Sequence, residues 1–156
     1  MICQCSVHSA TIVGVEALPV DVEVVISQGL PGFTIVGMTD AAIQEARERV
    51  RAALRSSGFS MPGDKIVVNL APGSLKKRGS GFDLPIALGI LIASGQVSAQ
   101  VANRTLFVGE LSLDGCIKPI PGLLAYAQCA CRDGYSLCCA QDSNLGVLDN
   151  NLTIRI

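Results

Sequence analysis

The segment from Phe82 to Ala93 is apolar on nearly every side of a helix, and a glycine loop leads into it. A helix with no polar face has to be surrounded by protein, so any fold open to this chain must place the segment near its centre. Pro85 is compatible with it because it falls in the first turn, where its missing N–H costs no hydrogen bond. With 49% apolar and 16% charged residues, the chain can build that surround without disulfides or metals. At 156 residues one core is expected, and with it a single domain spanning 1–156.

The flanking pattern supplies the strands. Val20, Val22, Val24 and Ile26 alternate with Asp21, Glu23, Val25 and Ser27, as in a half-buried strand, and Ala10–Val15 reads as its partner. Gly29-Leu30-Pro31-Gly32 breaks the run before a third strand, Phe33–Val36, so the simplest arrangement is an antiparallel meander. Thr39 or Asp40 then caps a helix whose apolar residues Ile43, Ala46, Val50, Ala53 and Leu54 share one stripe, and Gly58 ends it. Lys65–Leu70 reads as a buried strand. Arg104–Leu113 reads as another, followed by Asp114-Gly115, a two-residue hairpin signal, and Cys116–Lys118. A helix over Leu123–Arg132, closed by Gly134, precedes a short strand at Ser136–Cys139. The last residues, Leu152–Ile156, read either as a strand or as the start of a longer protein. This order predicts an α+β domain with helices packed on one or both faces of a mixed sheet.

Formal net charge is −1, which removes any global attraction to nucleic acid or membrane and leaves only local clusters to argue from. The first residues lack the basic start and long apolar run of a secretory signal, and no apolar run approaches a membrane span, so a cytoplasmic protein is expected. Seven cysteines and one histidine, His8, show no zinc or redox spacing, and no metal site is expected.

Two clusters of cations stand out. Lys76, Lys77 and Arg78 precede Gly79-Ser80-Gly81 at the start of the apolar helix, where unpaired backbone N–H groups favour an anion. A nucleotide-binding P-loop is excluded, because Ser80 stands where that motif needs lysine. Arg47, Arg49 and Arg51 line the polar face of the earlier helix. Glu45 and Glu48 interleave with them, so the same face also reads as ordinary solvated surface. If DNA is a partner, Lys76, Lys77 and Arg78 are the first candidates and the three arginines the second, since phosphate contacts need exposed cations.

Several stretches in order carry a resemblance: Gly29–Gly37, Glu45–Ala53, Val68–Pro72, Gly79–Ala87 and Val108–Leu111. They look like the N-terminal domain of the YifB/ComM family of magnesium-chelatase-like AAA+ ATPases. The resemblance covers about 6–140. It implies a ribosomal protein S5 domain 2-like fold, shared with the Lon protease domain, ahead of a motor that forms hexameric rings. It also implies the domain's own AAA+ motor and neighbouring subunits as partners, DNA as a further one, and a role in DNA branch migration during natural transformation. No Walker A sequence occurs in the chain, so ATP and magnesium are expected only in an AAA+ domain outside it.

The Lon likeness raises the question of a peptidase. Aligned on the Lon-type pattern, the nucleophile position falls on Gly81 and the lysine base on Leu124, and neither side chain can act in a Ser-Lys dyad. A shifted dyad would need Ser80 with Lys118. The sequence therefore favours a domain with no catalytic residues of its own, serving ring assembly or DNA contact. The alternatives are a Lon-like peptidase and a purely structural module of a magnesium-chelatase-type ATPase.

Overall fold

A computed structural model describes residues 2–140 together with the backbone of 154 and 155. Strand β1 (Ile2–Val13) and strand β2 (Glu16–Ser27) form a long antiparallel hairpin in register Val7↔Val22. The strand expected from Ala10 thus begins at Ile2, since the hairpin continues to the Ile2↔Ser27 pair.

The expected meander stops at these two strands. β3 (Gly32–Val36) does not return onto β2; it lies parallel to β4 (Lys65–Ala71), and β4 lies antiparallel to β2. The reason is the helix between them. A helical crossover brings the chain back in its original direction, so β3 and β4 pair in parallel and β4 takes the place beside β2. On the far side of β1 come β5 (Thr105–Phe107), β8 (Ser136–Cys138) and β9 (Ile154–Arg155), all in parallel pairings. The seven-stranded sheet has the order β3-β4-β2-β1-β5-β8-β9 and is mixed, as an α+β domain requires. Apart from Ile154 and Arg155, the expectation for Leu152–Ile156 lies outside the described residues.

The crossover helix α1 (Ala41–Ser56) starts at Asp40, whose Oδ1 accepts the Ile43 N–H at 2.9 Å. It ends in a paired terminal motif: Phe59 N–H donates to Leu54 O and Gly58 N–H to Arg55 O, with Gly58 at φ +85°. Its buried residues are Ile43, Ala46, Val50, Ala53 and Leu54, the stripe read from the sequence. Helix α2 (Asp83–Ala93) lies against β1 and β2 with α1 beside it, which is why it carries no polar face. Contact is so close at Gly89 that a Cβ there would stand 2.5 Å from Val24 Cγ2. Among the described residues the opposite face of the sheet carries only α3 (Leu123–Asp133), packed through Leu123, Tyr126, Ala127 and Ala130 onto Ala10, Ala17, Leu106 and Leu137.

That second face is half covered. Aligned rows across β1, β2, β4 and β3 bring Gln4, Val25, Val67 and Thr34 together, and next to them Ser6, Glu23, Asn69 and Val36. All eight are exposed or half-buried.

The strand expected over Arg104–Leu113 is broken after Phe107. Val108 N–H still donates to Cys138 O, but Gly109 N–H turns to Gly81 O and Gly109 O accepts from Leu84 N–H. A Cβ at residue 109 would meet Ile117 Cγ2 at 2.8 Å, so only glycine lets the chain leave the sheet here. The remainder becomes a small separate hairpin, β6 (Glu110–Leu111) with β7 (Ile117–Lys118). Its turn is one residue longer than Asp114-Gly115 alone suggested: Ser112 N–H donates to Cys116 O across Leu113, Asp114 and Gly115, with Gly115 at φ +93°.

Candidate functional site

The loop from Pro72 to Phe82 connects β4 to α2 and brings most of the singled-out residues to one end of the domain. Gly37, at φ +114°, allows the preceding chain to cross β4: a Cβ there would stand 2.3 Å from Leu70 O. Into this crossing comes Lys77. Its Nζ donates to Gly37 O at 2.6 Å and to Pro72 O, its own N–H donates to Met38 O, and its side chain is fully buried. Lys77 therefore clamps the β3–α1 connection to the β4–α2 loop, and the expectation that it offers a surface cation is corrected. Burial pushes its ammonium below the usual lysine range.

Lys76 and Arg78 point the other way and are exposed, and neither forms an ion pair with a described residue. Gly79 follows at φ +86°, its N–H donating to Asp40 Oδ2 at 3.0 Å. One Asp40 carboxylate thus caps α1 and pins the glycine loop, removing that N–H from any anion. Ser80 Oγ donates to Glu110 Oε2 at 2.5 Å. Of the shifted dyad, Ser80 meets a carboxylate from the small hairpin, and Lys118 stands across from that same Glu110 in the β6–β7 register.

Behind the loop is a closed ion pair. Arg49 Nε and an Nη reach Asp83 Oδ2 and Oδ1 at 2.6 and 3.0 Å, and Asp83 Oδ2 also accepts the Leu111 N–H at 3.0 Å. Asp83 has no exposed surface. Burial raises its carboxyl above the ordinary value, while Arg49 and the Leu111 N–H pull it back; Asp83 in turn holds the guanidinium further up. Arg49 also keeps the expected pair with Glu45, at 3.4 Å. Its reading as a solvent-facing cation, in either form, is corrected, since the guanidinium turns inward to neutralise the one acid in α2. Arg47 donates to Gln44 O within its own helix, and Arg51 pairs with Glu48 at 3.7 Å. Arg51 lines a separate cavity of about 440 Å³ with Arg55 and Asp64, so the two cation clusters do not line one pocket.

Three residues escaped the sequence reading: Asp83, Glu110 and Tyr126. Asp83 had a signal, because a lone acid in an all-apolar helix has to find a partner. Glu110 and Tyr126 had none. Tyr126 lies beside Gly81 in a cavity of about 220 Å³ whose wall includes Ile12, Ile120 and Pro121. Burial pushes its hydroxyl up to about 12. Leu124, at the aligned lysine position, is exposed. Among the described residues no cluster of three or more His, Cys, Asp or Glu is placed to hold a metal ion, and no helix is long and apolar enough to cross a membrane.

These features define an α+β domain whose glycine loop is tied internally by a buried lysine, two carboxylates and an ion pair. The chain belongs to the magnesium-chelatase ChlI family: the model for subunit ChlI of Mg-chelatase matches residues 22–143. It is 44% identical over 137 residues to the uncharacterized protein YifB of Escherichia coli, covering 88% of this chain and 27% of that protein. It is 46% identical over 118 residues to competence protein ComM of Haemophilus influenzae, covering 76% of this chain and 23% of that protein. The chain thus spans about a quarter of the relatives it matches.

Proposed function

We propose that this chain is the N-terminal, non-catalytic accessory domain of a ComM-like, magnesium-chelatase-related AAA+ ATPase, and that it works by protein contact within the assembled ring. The fold we assign it is the ribosomal protein S5 domain 2-like arrangement shared with Lon. ATP and magnesium belong to the motor outside this chain.

The observation that carries the reading is the fate of Ser80 and Lys77. Ser80 donates to Glu110, and Lys77, buried in the same loop, holds two backbone carbonyls. Both side chains are thus engaged in holding the loop, which supports a structural use of it. The half-open sheet face, with Val25, Val67 and Val36 among polar neighbours, supports a protein-contact role. The test is sedimentation of the chain with the separately expressed ATPase part of a ComM-like relative. Co-sedimentation that is lost when Val36 and Val67 become lysine supports assembly, and independent sedimentation of the two parts rejects it.

DNA contact is the second reading, favoured by Lys76 and Arg78, adjacent in one loop, exposed, and without an ion pair among the described residues. With so few cations its affinity would be weak and steeply salt dependent. A salt titration of labelled single- and double-stranded DNA measures it, and no binding at low salt ends it. A cytoplasmic setting and a part in natural transformation follow from the same proposal.

A further inference from the structure

We propose that the groove running from Lys76 to Tyr126 receives an acidic segment of a partner protein, which inserts one apolar side chain beside Gly81. This names the chemistry of one contact and rests on the assembly reading only in taking the partner to be a protein.

Two cavities adjoin, sharing Ile12 and Arg78. One, about 280 Å³, lies between Lys76, Leu75 and the tip of the β1–β2 hairpin; the other, about 220 Å³, is lined by Gly81, Ile120 and Tyr126. Ile120 packs closely against the bare backbone of residue 81, at the edge of this second cavity. A Cβ there would stand 2.9 Å from Ile120 Cδ1 and 3.8 Å from Tyr126 Oη.

What fits is decided by which polar groups are still unused. Ser80 Oγ is held by Glu110, the Gly79 N–H by Asp40, and Gly81 O by the Gly109 N–H. The Tyr126 hydroxyl, on a residue 6% exposed, makes no hydrogen bond to a described residue, and Arg78 lines the same cavity. Ile12, Ile120 and Pro121 complete an apolar wall. Such a slot suits one aliphatic or small aromatic side chain with a backbone carbonyl on Tyr126. At the mouth, Lys76 and Arg78 are exposed and unpaired among the described residues, which calls for carboxylates flanking the anchor. An apolar anchor in a pocket with charged neighbours at its rim is how short segments gain both affinity and register.

The test is fluorescence anisotropy of this chain at low salt with a short fluorescein-labelled peptide of glycine, aspartate and glutamate carrying one central leucine. The leucine peptide is expected to bind about tenfold tighter than its serine counterpart, and about tenfold tighter than the version with amides in place of the acids. Gly81→Ala, which puts a methyl into the slot, should weaken the leucine peptide and leave the serine peptide unchanged. Joint Lys76→Glu and Arg78→Glu should abolish both, and far-UV circular dichroism checks that each variant folds. Equal affinity for leucine and serine peptides overturns the proposal, as does no binding at about 1 mM. A single-stranded oligonucleotide that displaces the peptide and itself weakens in Gly81→Ala puts a base in the slot and overturns it too. Failure here with intact co-sedimentation with the ATPase part removes the groove and leaves the assembly role standing.

Discussion

Arg49 and Asp83, 34 residues apart in sequence, grip each other through two hydrogen bonds of 2.6 and 3.0 Å between the middle of α1 and the first turn of α2. The pair locks the amphipathic helix to the wholly apolar one at the point where the glycine loop enters α2. Leu111 N–H on the same carboxylate adds the small hairpin to the lock.

Breaking one side of this pair should cost far more than removing both. Asp83→Ala leaves a guanidinium against an apolar helix and is expected to lose about 3 to 5 kcal/mol, whereas Arg49→Met with Asp83→Leu should lose much less, because no charge is then left buried and unpaired. Urea unfolding of the two single variants and the double variant measures this. Equal losses would show that the pair contributes by shape alone.

Lys77 should give stability an alkaline dependence of its own. Its folded pKa is below the ordinary 10.5, so between those two values the unfolded chain holds more protons than the native one. Stability contributed by this group therefore rises with pH across that window. Other groups titrate there too, so the measurement is the difference between the parent and Lys77→Met. The parent should gain on the variant as pH climbs towards 10.5. At neutral pH the variant should be about 2 kcal/mol less stable, because Gly37 O loses its lysine donor and Pro72 O keeps only the Leu75 N–H.

Tyr126 should ionise late. With its hydroxyl pushed up to about 12, a spectrophotometric titration of the folded chain should contain a step near that pH which disappears in Tyr126→Phe. The sign for stability is opposite to that of Lys77. A raised folded pKa means that stability is lost as pH rises from the ordinary value of 10 through about 12.

Gly37 and Gly73 should respond in opposite ways to alanine. At Gly37 the new Cβ meets the Leu70 carbonyl at 2.3 Å in a left-handed conformation, and a loss of more than about 3 kcal/mol is expected. At Gly73 a Cβ meets nothing within 4 Å, so alanine should be close to neutral. Thermal melts of the two variants make the comparison.

Much of the fold is legible in the sequence. The stripe of α1, the all-apolar α2, the inward alternation of β2 and the glycine stop signals all stand where the periodicity puts them, because each depends on neighbours within one or two turns. The meander failed where a local pattern had to decide a distant pairing: nothing in Phe33–Val36 says that its partner is Lys65–Ala71 rather than β2. The strand over Arg104–Leu113 failed for a related reason, since Gly109 leaves the sheet to meet Gly81 across the fold.

The site divides along the same line. From residue types alone the sequence determined that a glycine turn opens a central helix and that cations cluster beside it; that Gly81 and Leu124 stand where a Ser-Lys dyad would be came only with the Lon resemblance. Only the tertiary structure decided what each cation does. Lys76, Lys77 and Arg78 are adjacent in a loop with no periodicity, so nothing local sets which way each one points. The carbonyls of Gly37 and Pro72 hold the Lys77 ammonium inside the fold, and the buried Asp83 draws Arg49 away from its helix's polar face, because a buried carboxylate without a donor costs more than a surface cation gains in water.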